Sequence, residues 1–123
     1  MIGKVLTFLT PYYNPQKSKN SFKARPVLII GSADASDYNA LPISTITKKA
    51  NIDADYDYSI DPVGYPLLNL KTRSYVRIHK QTVVNIRSIG KLLGDMKNDY
   101  PELYLEILLK LEQYNKNLVI EAL

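Results

Sequence analysis

Arg25 stands directly ahead of an apolar run, Pro26-Val27-Leu28-Ile29-Ile30, and a hydroxyl pair, Ser44-Thr45, follows the next such run, Leu41-Pro42-Ile43. An arginine keeps its charge at any working pH, and its planar fork can hold two phosphate oxygens at once. A hydroxyl beside it can donate to a further oxygen or orient an attacking group. If the two runs are strands joined by a return of the chain, Arg25, Ser44 and Thr45 can meet as a phosphate grip. The same residues equally suit a surface arginine at a strand end with two ordinary strand hydroxyls.

Residues 3–10 are β-branched and apolar and predict a first strand that Pro11 ends. Tyr12 to Ala24 is polar and predicts an exposed loop, with Lys17, Lys19 and Lys23 and no acid. Val27–Ile30 predicts a buried strand ended by Gly31, and Ala40–Thr47 a third strand that leaves through Lys48-Lys49. Asp53, Asp55, Asp57 and Asp61 alternate with Tyr56, Tyr58 and Ile60, a two-residue period that predicts an exposed edge strand. Leu67–Leu70, Ser74–Ile78 and Val83–Ile86 are further strand candidates.

The character changes after Ser88. Ile89, Leu92 and Leu93 have helical spacing, and Pro101 suits the first turn of a longer helix. From Leu103, the residues Ile107, Leu108, Leu111, Tyr114 and Leu118 make one face of that helix. Leu105 and Leu109 fall off the stripe, which predicts burial on two sides or a face turned to a partner. Many short strands followed by helices predict a single domain over 1–123, mainly β within the α+β class: a small β-barrel with a C-terminal helix packed on it.

Composition narrows the chemistry. The chain has no cysteine, so thiolate metal sites and disulfides are out. A single histidine, His79, excludes a two-histidine ribonuclease site, and no acidic residue stands at ligand spacing from it. No metal or cofactor is expected. Phosphate-loop, dinucleotide and serine-hydrolase signatures are missing. The net charge of +4 is uneven: residues 1–94 carry 13 Lys/Arg against 6 Asp/Glu, and residues 95–123 carry 3 against 6. A basic body suits a polyanion, and a solvated Lys-rich surface gives the same count. Ten tyrosines serve half-buried strands or base stacking, Tyr12 and Tyr13 beside the basic loop among them. With no signal-peptide pattern or membrane span, a soluble cytoplasmic protein is expected.

Three segments in order carry a resemblance. Arg25-Pro26-Val27-Leu28-Ile29-Ile30, Leu41-Pro42-Ile43-Ser44-Thr45 and Ser74 to Ile86 are similar to motifs of the MazF/PemK family of toxin endoribonucleases. Ile89–Gly94 resembles that family's short helix, and the terminal helix falls where the family has one. The resemblance implies an SH3-like barrel that forms a homodimer. It implies metal-independent cleavage of single-stranded RNA and silencing by a cognate antitoxin protein. On it, Arg25, Ser44 and Thr45 are the expected catalytic set, with Ser44 in place of the family's threonine. Lys17, Lys19, Lys23, Lys48 and Lys49 flank the expected site as phosphate contacts, and Lys80 and Gln81 complete the expected RNA-binding set. The loop before Arg25 departs from the family pattern, and Tyr56–Thr72 is longer. A non-catalytic module on the same barrel, binding nucleic acid or protein, is the alternative.

Overall fold

The structure is a computed structural model describing residues 1–123. Its first two strands are one long hairpin. β1 (Lys4–Asn14) and β2 (Lys19–Ser32) pair from Val5↔Leu28 to Asn14↔Lys19. Pro15–Ser18 turn the chain, with Ser18 at φ 50° and Asn14 Oδ1 accepting from the Gln16 N–H at 3.0 Å. The strand therefore does not end at Pro11, and Tyr12–Ala24 is not a loop. Past Phe8, β1 has no second neighbour, and proline's missing N–H is tolerated on such an edge. Residues 9–24 thus project as a two-stranded arm.

β3 (Asp37–Ser44), β4 (Asp57–Ile60), β5 (Ser74–Arg77), β6 (Thr82–Asn85) and β7 (Ile89–Asp95) complete a seven-stranded antiparallel sheet. The order is β4-β5-β3-β2-β1-β7, with β6 also on β3. The sheet curls into a half-barrel. A short helix, α1 (Met96–Asp99), leads into α2 (Pro101–Ala122), which packs on one face. This is an α+β fold, mainly antiparallel β. No helix is long and apolar enough to cross a membrane.

Strand alternation sorts the residues onto two faces. Val5, Leu28, Leu41, Ile43 and Val76 join Leu103, Tyr104, Ile107 and Leu111 of α2 in the main core. On the reverse face, Leu6, Val27, Ile29, Ala40 and Val84 form a smaller cluster with Phe8, Tyr38 and Ile89 packed against it. Truncating a fully buried residue of the main core such as Leu28 to alanine costs about 2–5 kcal/mol. Within α2 the buried stripe starts at Leu103, as expected, and takes in Tyr104, while Leu118, Leu105 and Leu109 are exposed.

Other expectations are corrected. Leu67–Leu70 is no strand: Pro66–Leu68 forms a 3-10 turn, with proline at its start and Asn69 left-handed at its end (φ 52°). Ile89–Gly94 is no helix but lies in β7, paired with β1. Its helical spacing comes from bulges. One β1 residue, Thr7, faces two of β7, Gly90 and Lys91, so Ile89 and Leu92 pair with Phe8 and Leu6 although three positions apart. Of the aspartate-rich segment only Asp57–Ile60 is strand, at the sheet edge. Asp53 Oδ1 instead accepts from the Asp55 and Tyr56 N–H groups, both at 2.9 Å, and makes a turn.

Candidate phosphate-binding site

β2 and β3 pair through Val27↔Pro42 and then part, because β3 takes up β5 instead, at Ile43↔Val76 and Ser44↔Tyr75. Had the ladder continued, Arg25 would oppose Ser44. The parting leaves a cavity of about 350 Å³ between them, lined by Phe8, Thr10, Arg25, Pro26, Val27, Pro42, Ile43, Ser44, Lys80 and Thr82. β1, β2, β3 and β6 each contribute residues, and Lys80 comes from the 3-10 turn before β6.

No acidic residue lines this cavity. Neither Arg25 nor Lys80 forms an ion pair; those of the chain are Arg73–Asp61 and the pairings of Arg77 and His79 with Asp57. Two uncompensated cations thus share a concave site with the hydroxyls of Thr10, Ser44 and Thr82. Such a set can hold the oxygens of a phosphodiester and stabilise added negative charge on it. Phe8 supplies an apolar wall. Thr10, Thr82 and Phe8 escaped the sequence reading. Thr10 and Phe8 share Arg25's face by the β1–β2 register, a relation visible only once the arm is known to be a hairpin.

Two expected site residues lie elsewhere. Thr45 follows Ser44 and, by alternation, faces the other side, where its hydroxyl and that of Thr72 share a 3.0 Å hydrogen bond. Gln81, one residue past Lys80, opens with His79, Asn115 and Leu118 into a groove beside α2. Lys23 opposes Thr10 and Lys19 opposes Asn14, so both lie along the arm, with Lys17 in its turn. Lys48 and Lys49 start an exposed 3-10 turn beyond β3, and neither lines the cavity.

His79 has an acidic neighbour after all. The β4–β5 register sets Asp57 opposite Arg77, twenty positions away in sequence. Asp57 is fully buried in its side chain. Its Oδ1 accepts from Arg77 Nε at 3.1 Å, and its Oδ2 accepts from the Asp53 N–H at 2.7 Å. His79 Nδ1, buried without a hydrogen bond, lies 3.9 Å from the same carboxylate. This cluster ties β4 to β5 away from the Arg25 cavity. Asp53 itself is held below the usual carboxylate range, first by the N–H groups of Tyr56 and Asp55 that its side chain accepts. No protein-family model matches the chain, and no curated protein matches it either.

Proposed function

We propose that the chain is a sequence-selective endoribonuclease that cleaves single-stranded RNA without a metal ion. The observation that carries the reading is the acid-free cavity in which Arg25, Lys80 and Ser44 converge. The ordered resemblance of the segments at 25–30, 41–45 and 74–86 to toxin endoribonucleases supports it. An SH3-like description of the half-barrel, a homodimer and silencing by a cognate antitoxin protein belong to the same proposal.

In the reaction, the ribose 2′-oxygen attacks the adjacent phosphorus. The P–O2′ bond forms, the P–O5′ bond breaks, and the products are a 2′,3′-cyclic phosphate and a free 5′-hydroxyl. Arg25 and Lys80 neutralise the charge that builds on the non-bridging oxygens. Ser44 donates a hydrogen bond to one of them. Arginine's high pKa makes it a poor base, and no imidazole or carboxylate lines the cavity. The 2′-OH proton therefore passes to solvent water, and the leaving oxygen is protonated by water or a cation of the cavity. Rate enhancement rests on charge stabilisation and alignment rather than on an acid–base pair.

The test is incubation with a long single-stranded RNA in EDTA. Wild type is expected to cut at a restricted set of sites, and Arg25→Ala to lose cutting. Uncut RNA with wild type, or equal cutting by Arg25→Ala, would sink the reading. Tight RNA binding by wild type without cleavage would favour the second reading, a nucleic-acid-binding module.

A further inference from the structure

On the other side of β2 from Arg25 lies a second acid-free cavity, of about 380 Å³. Its cations are Lys71 and Lys91, neither in an ion pair. Thr7, Thr45 and Thr72 bring hydroxyls to it. Pro26 lines both cavities, so only the β2 chain separates them there.

The fold constructs this cavity rather than leaving two lysines on a surface by chance. The β7 bulge sets Gly90 and Lys91 against Thr7. The Lys91 N–H donates to Thr7 Oγ1 at 2.7 Å. A Cβ at Gly90 would come within 2.6 Å of that same oxygen, so glycine admits the contact. Bulges re-aim side chains, and this one brings Lys91 to the cavity. Lys71 is brought alongside by Asn69, whose left-handed backbone turns the chain and whose Nδ2 donates to the Leu93 carbonyl at 2.6 Å. Between the two cavities β2 has no partner on its β3 side, since the ladder stops at Val27.

We infer that the Lys71–Lys91 cavity is a second phosphate subsite, holding a phosphodiester of the same RNA strand whose scissile phosphate lies at Arg25. This rests on the RNA-cleaving reading and extends it: the substrate wraps the free edge of β2 and is held on both faces. Thr45 serves here, next to a phosphate that is not cleaved.

The experiment measures affinity for a 2′-O-methyl oligoribonucleotide, which cannot be cleaved by 2′-OH attack, across a range of salt concentrations. Lys71→Ala/Lys91→Ala is expected to weaken binding about fivefold and to shrink the slope of log affinity against log salt by about 0.7, one single-strand phosphate contact. Lys116→Ala, on α2 away from both cavities, leaves the slope unchanged. Lys91→Arg in the Lys71→Ala background recovers part of the loss. If wild type binds and the double variant matches it in affinity and slope, the subsite is overturned while the cleavage reading stands. If wild type binds no RNA at any salt, both fall.

Discussion

Ser44 and Thr45 are consecutive in sequence and open onto opposite faces of the sheet: Ser44 lines the cavity of Arg25, while Thr45 is hydrogen-bonded to Thr72 in the cavity of Lys71 and Lys91. A hydroxyl pair that reads as one motif is therefore divided between two sites, and the two can be told apart by experiment.

Ser44→Ala is expected to lower the first-order cleavage rate by about 10²–10³, the usual cost of one transition-state donor. Thr45→Val, which keeps the side-chain shape, is expected to cost about tenfold less than that and to act on binding. Single-turnover cleavage of a short RNA substrate separates the two. Equal rate losses would refute the division.

Lys80 and Gln81 make a second such pair. Lys80→Ala removes one of two cations from the Arg25 cavity and should lower the salt slope of RNA binding by about 0.7. Gln81→Ala, facing the groove beside α2, should leave that slope as it was. Fluorescence anisotropy over a salt series reads both.

The buried Asp57 carboxylate predicts a stability effect away from either cavity. Asp57→Ala strands Arg77 beside His79 and should cost about 3–5 kcal/mol, the range for removing one partner of a buried ion pair. The double change Asp57→Ala/Arg77→Met should cost less than Asp57→Ala alone. Urea denaturation of the single and double variants checks the order.

Alkaline pH should weaken the fold through Tyr58. Burial, and then its hydrogen bond to Glu106, push this phenol up to about 12. The folded chain keeps a proton that the unfolded chain releases near pH 10. This contribution is complete below about pH 10 and is lost as pH rises through about 12. Burial moves Tyr104 in the same direction. Denaturation midpoints should fall over this window, and less steeply in Tyr58→Phe.

Gly90→Ala should destabilise by about 1–3 kcal/mol, because its new methyl meets the Thr7 hydroxyl. Thr7→Ala in the same chain should recover much of the loss to overpacking, which thermal unfolding of the wild type and these two variants would show.

How far the sequence could be read depended on whether a local pattern kept its period. Val27–Ile29 and Ser74–Arg77 pair regularly, and their strands were legible. The start of α2 was legible from Pro101. β7 was not, because its bulges turn a two-residue period into three and imitate a helix. The arm was hidden by Pro11 and by polar residues that fit a ribbon exposed on both sides. Within the site, Arg25 and Ser44 could be paired from their strands, but the sides taken by Thr45 and Gln81 depend on alternation around exact strand ends. The Asp57–Arg77 pairing is a matter of register across a long connection, which no local spacing encodes.

Residues 9–24 of the arm have one strand neighbour and no share in the main core. Tyr12, Lys19 and Lys23 share the face that continues to Arg25, while Leu9, Tyr13 and Phe22 occupy the other. Substitutions there escape the packing constraints that restrict the rest of the hairpin. On the RNA-cleaving reading, contacts to RNA can thus vary at one end of a strand whose other end stays fixed by the core, so specificity can change with little effect on foldedness.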